Sequence, residues 1–322
     1  MEKKLLTVSP SPHVRREDNV STIMCDVIIA LVPSLIWGAY IFGLRALAVT
    51  LISVFSCVVS ETAIQLILKK RVTLSDLSAV VTGILVAFTL PAACPLWMPA
   101  AGGIIAMAVK QAFGGTGKNL LNPAVTARVI LGFFPQANRF TAPFEKLPLW
   151  GNVTDITYTP TALDSLVTGV IPPIPQFDML IGNRVGALGE VSALVLLAGG
   201  LYLLARRIIS LHIPLSFMGA VAAVAYLFPM NTFKEDFMLF HLLCGSVILG
   251  AVFMATDCVT SPVSSTGKII FGAGCGLITM ASRYWGGFDG VFYGILIMNV
   301  LTPHIDKLFV PRPFGSEIKK KS

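Results

Sequence analysis

Apolar and polar positions alternate along this chain in blocks, not in short periods. Long apolar runs recur with brief polar or glycine- and proline-containing breaks between them. A membrane-crossing helix needs about 20 apolar residues, fewer when the segment is buried in a bundle. On that basis ten segments are expected: about 24–43, 46–68, 79–91, 98–113 and 122–135, then about 189–206, 213–229, 238–255, 268–282 and 288–304. The third, fourth and fifth are short and flanked by Pro or Gly.

Between the two sets of five lies the only long non-apolar interval, residues 136–188. At its centre stands Asp155-Ile156-Thr157-Tyr158-Thr159-Pro160-Thr161-Ala162-Leu163-Asp164, where hydroxyl groups crowd between two carboxylates. Its Thr, Pro and Gly content favours turns over regular helix. The predicted organisation is a polar tail (1–23), a first membrane half (24–135), the loop (136–188), a second membrane half (189–304) and a short polar tail (305–322).

Composition agrees with that pattern. Of 322 residues 55% are hydrophobic and 13% charged, and mean hydropathy is +0.78. A soluble domain carries about a quarter charged residues, so the fold class expected is an all-α polytopic membrane protein. The start of the chain lacks the apolar core and small-residue site of a cleavable signal.

The net charge of +7 would fit a nucleic-acid binder, but its distribution argues otherwise. With the N-terminus cytoplasmic, the ten segments put 18 Lys and Arg inside, Lys110, Lys118 and Arg128 among them. Only six lie outside: Arg45, Arg139, Lys146, Arg184, Lys234 and Arg283. That bias is the positive-inside signature. It predicts both termini in the cytoplasm and residues 136–188 on the far side of the membrane, with anionic lipid a secondary attraction.

The halves resemble each other faintly. Asp26 and Glu190 each open a half, and Cys94 and Cys258 share the same separation, each following a Phe-containing apolar run. Five spans per half is an odd number, so such a repeat is inverted in the membrane, as in secondary transporters.

The candidate chemistry sits in the breaks. Gly114-Gly115-Thr116-Gly117-Lys118-Asn119-Leu120-Leu121-Asn122-Pro123 lacks the spacing and the preceding strand of a phosphate-binding loop, which excludes nucleotide hydrolysis. It is either a tight turn with Asn122 and Pro123 capping the next segment, or a ligand-contacting loop. Thr256-Asp257-Cys258-Val259-Thr260-Ser261-Pro262 follows an apolar run directly. It lines a cation path or cofactor pocket, or else is a solvated turn. Asp26 and Glu190 are expected at helix starts, where the helix dipole stabilises a carboxylate. His13, His212, His241 and His304 have no metal-ligand spacing and read as packed or interfacial residues. The six cysteines form no Cys-x-x-Cys pair and read as small buried hydrophobes. Trp97, Trp150, Tyr284 and Trp285 fit an interfacial aromatic belt.

Taken together, several stretches resemble the D subunit of Rnf ion-translocating electron-transport complexes, which is homologous to the B subunit of the sodium-pumping NADH:quinone reductase. They are Ser9-Pro10-Ser11-Pro12-His13, Val81-Thr82-Gly83, Leu90-Pro91, Gly114 to Pro123, Gly189-Glu190, Phe253-Met254-Ala255-Thr256-Asp257 with Thr260-Ser261-Pro262, and Met298-Asn299. They run across nearly the whole chain in the family's order.

The resemblance implies a redox-driven translocase subunit of the bacterial inner membrane. Electrons between ferredoxin and NAD+ would pass through it, coupled to Na+ or H+ movement. It implies partner subunits of the Rnf C, G, E, A and B types. It also implies FMN held as a phosphoester on a threonine by a flavin transferase. By the family's register Asp155 precedes the acceptor by six residues, which makes Thr161 the acceptor and Thr159 or Thr157 the fallback. Tyr158-Thr159-Pro160 departs from the usual small-residue lead-in. Riboflavin, a second flavin known in relatives, would have its pocket or an ion path at the breaks carrying Asn119, Asn122, Asp257 and Thr260. The alternative is a solute channel without a redox centre, since the family's fold is itself similar to urea and ammonium channels. A plain channel has no use for a flavin-bearing loop.

Overall fold

The computed structural model describes residues 19–70, 72–115, 117–145, 147–150, 159–190, 192–230 and 233–309. Among them every regular element is helical and there is no strand. Asp155, Thr157 and His13 lie outside the described residues.

The first half begins with α1 (Val20–Phe42) and α2 (Leu44–Ile67), joined at Gly43. Gly43 has φ 73° and ψ −168°, a combination that costs other residues dearly, so a single residue makes the corner. Next comes α3 (Ser78–Phe88), which is buried on nearly every side, as its uninterrupted apolar sequence requires. Pro91 and Pro95 prevent its continuation, and the chain turns into α4 (Trp97–Ala112). The Arg45 guanidinium holds this break by donating to the carbonyls of Ala92 at 3.0 Å, Cys94 at 3.1 Å and Pro148 at 2.6 Å. Next is α5 (Pro123–Leu131), capped by Asn122, whose Oδ1 accepts from the N–H groups of Ala124 and Val125.

The interval whose composition favours turns over regular helix contains two short helices, α6 (Ala162–Val167) and α7 (Gln176–Ile181). Turn propensity is overridden here by a local cap and a buried face. Thr161 caps α6, and Ala162, Leu163 and Leu166 bury against the core.

The second half comprises α8 (Ala193–Ala205), α9 (His212–Leu227), α10 (Lys234–Leu243), α11 (Val247–Met254), α12 (Ser265–Ala281) and α13 (Val291–Leu308). The apolar pattern predicts one segment over 238–255. The structure breaks it into α10 and α11, which meet at 61°. Gly245 turns the corner at φ 67°, where a Cβ would lie 2.7 Å from Arg283 Nη2 and 2.8 Å from Asp289 Oδ2. The second part of α11, Gly250–Met254, is wound as a π-helix.

The helices pack around one continuous apolar core. In the first half α2 lies against α3 and α4, and α4 against α5. In the second, α9 lies against α12, and α12 against α13. Contacts between α1 and α8, and between α5 and α13, join the halves. Asp26, expected at a helix start, is well inside α1. Its carboxylate meets the Tyr202 hydroxyl at 2.7 Å and the Arg206 guanidinium at 3.0 Å, both from the α8 end. A partner across the interface, not the helix dipole, accounts for it. The amide of Asn122 donates to the Met254 carbonyl at 3.1 Å and ties α5 to α11.

Two helices, α1 and α2, are each long and apolar enough to cross a membrane, and the bent pair α10–α11 passes the same test together. Large apolar side chains such as Ile36, Tyr40, Leu51 and Phe55 point outward from α1 and α2, as a lipid-facing surface demands.

Candidate functional site: two clefts separated by one short helix

Two clefts flank α5. The first encloses about 350 Å³ and the second about 240 Å³, near the lower end of the range for small-molecule sites.

Thr161 and Asp164 lie in the wall of the first cleft, with Arg128 and Val129 of α5, Arg184, Glu190, Ser246 and the start of α13. Thr161 is the N-cap of α6. Its backbone N–H donates to Asp164 Oδ2 at 2.7 Å, its hydroxyl donates to the same oxygen at 3.0 Å, and its Oγ1 accepts from the Asp164 N–H at 3.3 Å. This capping box satisfies the helix end reciprocally and leaves the hydroxyl half-buried at the cleft. Thr159, the fallback acceptor, is among the described residues but not in the cleft wall.

Glu190, also expected at a helix start, instead ends a 3₁₀ turn before α8. One of its oxygens accepts from the Ser246 hydroxyl, the other from the Ala187 N–H. Asp289 accepts from the Ser246 N–H at 2.9 Å and from Arg283 at 3.0 Å. Arg283 is fully buried and donates to the carbonyls of His241 and Cys244 as well. His241 is packed against Phe237, the role expected of it. The Arg184 guanidinium donates to two backbone carbonyls, those of Leu243 and Glu190.

The positive-inside count groups Arg128 with the cytoplasmic charges. The structure puts it in the same cleft as Thr161 and Arg184, so it belongs with the loop's side. Arg128 lies near the end of α5, and Asn122, which caps the start of that helix, borders the other cleft.

The second cleft brings together three of the residues expected to form a pocket. Asn119, Asn122 and Asp257 all line it, with Ser78, Thr82 and Lys110. The fourth, Thr260, stands behind Asp257 and donates its hydroxyl to Asp257 Oδ2 at 3.2 Å. Its backbone carbonyl accepts from Thr302 at 3.1 Å. The Gly-rich stretch has the geometry of the first of its two readings and lies at a cleft. It is a tight turn, with Gly114, Gly115 and Gly117 all at positive φ, and its Asn residues face a cleft. The Asn119 amide nitrogen, oriented as its surroundings require, reaches the carbonyls of Lys110 at 3.1 Å and Gly115 at 2.9 Å. Burial raises the Asp257 carboxyl above its ordinary range, opposed by the Val259 N–H, the Thr260 hydroxyl and the charge of Lys110.

Lys110 itself is the visible end of a buried cluster that no motif in the sequence announces. Its Nζ lies 2.6 Å from Glu61 Oε1 and 2.6 Å from Ser78 Oγ. Gln111 and Gln65 approach the same Glu61 oxygen at 3.4 and 3.5 Å. Glu61 and Lys110 expose 0% and 3% of their side chains. The available signal is a carboxylate well inside an apolar segment, which ordinarily marks function or pairing.

All-helical among its described residues, with outward apolar faces and two clefts between its helices, the chain has the make-up of a multi-pass membrane protein. The NQR2, RnfD, RnfE family model matches residues 7–315, and the chain belongs to that family. It is 44% identical to the D subunit of the Na(+)-translocating ferredoxin:NAD(+) oxidoreductase complex of Acetobacterium woodii, over 100% of this chain and 99% of that protein. It is 37% identical to the D subunit of the proton-translocating ferredoxin:NAD(+) oxidoreductase complex of Clostridium ljungdahlii, over 98% of each. The D subunit of the ion-translocating oxidoreductase complex of Stutzerimonas stutzeri is also 37% identical, over 94% of each chain.

Proposed function

We propose that this chain is the D subunit of an ion-translocating ferredoxin:NAD+ oxidoreductase complex, with FMN esterified to Thr161 in the first cleft. Full-length similarity to proteins of that name supports the complex and its other subunits as partners. The carrying observation for the flavin is that Thr161, not Thr159, lines a cleft of ligand size whose wall also holds two buried guanidinium groups. Bound there, FMN supplies electron exchange. The chain supplies a fixed hydroxyl, cations for the phosphate and a partly water-excluded space. The second cleft, with Asn119, Asn122 and Asp257, is the candidate for riboflavin or the ion path.

The same reading has ten spans in two inverted halves, with residues 136–188 extracytoplasmic and both termini cytoplasmic in a bacterial inner membrane. Each of the ten apolar segments coincides with one helix or with the bent pair. The packing order of α2, α4 and α5 is repeated by α9, α12 and α13, which supports a repeat.

The test is the intact mass of the purified chain co-expressed with its flavin transferase. Wild type should carry one FMN phosphoester, and Thr161→Ala should carry none. Flavin retained on Thr161→Ala moves the site to Thr159 or Thr157. An unmodified wild type favours the solute channel.

A further inference from the structure

We infer that Arg128 is the counter-ion of an anionic group seated in the first cleft, and so a positioning residue for the bound flavin. The inference rests on the reading that Thr161 carries FMN.

Arg128 sits on α5, a helix packed against α3, α4 and α13, and is only 9% exposed. Its Nη2 donates to Asn138 Oδ1 at 2.9 Å, and its guanidinium lies 5.6 Å from the centre of the Phe292 ring. Its Nε is buried without a partner. Among the described residues it makes no ion pair, although Glu190 and Asp289 stand close enough to act on its charge. A buried charge that no ion pair meets is costly, and an amide, an aromatic face and two carboxylates engaged elsewhere compensate only part of that cost.

The carboxylates that share the cleft are otherwise engaged. Glu190 accepts from Ser246 and Ala187, Asp289 from Arg283 and Ser246, and Asp164 from Thr161. Arg184 is a weaker candidate, because its fork already meets two carbonyls. Among the described residues Arg128 therefore makes no ion pair, in the cleft that also presents the esterifiable hydroxyl.

Two parts of an esterified flavin are anionic: the phosphodiester permanently, and the ring after it gains electrons. A planar guanidinium fork suits either. The chemistry they share is oxygen-borne negative charge, and the experiment separates the two.

The full chain is prepared as wild type, Arg128→Gln, Thr161→Val and the double variant, each co-expressed with the transferase. Flavin load is read by intact mass and unfolding by thermal midpoint. In the flavin-loaded background Arg128→Gln is expected to lower the midpoint. In the Thr161→Val background, where nothing anionic is attached, it is expected to leave the midpoint unchanged or raise it. The same drop in both backgrounds would mean a merely structural arginine and would overturn the inference.

A folded Arg128→Gln chain that carries no flavin supports seating of the phosphate. A loaded chain titrated with dithionite separates the remaining cases. An unchanged flavin potential assigns Arg128 to the phosphate. A tenfold weaker preference for the one-electron-reduced ring, a potential about 59 mV more negative, assigns it to the ring. Should Arg128→Gln fail to accumulate, Arg128→Lys replaces it, with smaller effects of the same sign expected and an equal drop in both backgrounds again decisive against. A wild type without flavin overturns the parent reading, which the mass reports separately from the arginine.

Discussion

Glu61 and Lys110 face each other at 2.6 Å in near-complete burial. Such a pair contributes little net stability against an apolar replacement, yet removing one member leaves a buried charge alone. Loss of one partner costs about 3–5 kcal/mol, whereas replacing both is often neutral. Glu61→Leu should therefore lower the thermal midpoint sharply, and Glu61→Leu with Lys110→Met should recover most of it, both measured in one detergent at one protein concentration. Asp257, at the other side of the second cleft, gives a prediction in pH. Its carboxyl is raised in the folded chain, against about 3.9 when unfolded. The folded state then binds the proton more tightly, and stability falls as pH climbs from the unfolded value through the folded one. Asp257→Asn should match wild type near pH 4 and exceed it near pH 7, in thermal midpoints taken across that range.

Helix contacts in this chain depend on glycine at the crossings. A Cβ on Gly276 of α12 would lie 2.6 Å from the Phe217 carbonyl oxygen of α9, while one on Gly219 of α9 would meet nothing within 4 Å. Gly276→Ala is expected to destabilise by about 1–3 kcal/mol through overpacking. Gly219→Ala should be neutral or stabilise by up to about 1 kcal/mol, since alanine is the better helix former. Paired thermal melts check both. The elements themselves are largely readable from the chain, because apolar blocks of this length leave little choice. The expected segment of about 98–113 is the helix Trp97–Ala112, and Pro91 and Asn122-Pro123 mark real boundaries. What escapes is set by partners distant in sequence. Asp26 looks like a helix-start carboxylate because its partners lie some 180 positions along the chain. The α10–α11 corner depends on Arg283 reaching back to Cys244. The α6 capping box depends on one hydroxyl that composition alone assigns to a turn.

At the scale of the whole molecule, the charge bias implies a sidedness that can be checked directly. In a chain lacking Cys25 and Cys258, the two exposed cysteines, Thr168→Cys provides a label at the exposed end of α6. A membrane-impermeant maleimide should modify Thr168→Cys in intact cells. Cys258 in the wild-type chain should react only after the membrane is opened. Reaction of Thr168→Cys only from the cytosol would invert the topology and detach the loop from the proposed chemistry. Thr161 and the residues around Asn119 and Asp257 are legible in the sequence as separate candidates. Their division between two clefts, and the place of Arg128 in the first, require the packed fold.

That division has an electrical consequence. Asn122 borders one cleft and Arg128 the other, six positions apart on a helix that rises about 1.5 Å per residue. On the proposed topology, with the clefts open to opposite sides, only about 9 Å of protein would separate them, against about 30 Å for the surrounding hydrocarbon. Where water enters both, the transmembrane voltage, worth about 2.3 kcal/mol per elementary charge per 100 mV, would drop across that septum, and a charge crossing it would feel roughly three times the field of the open bilayer.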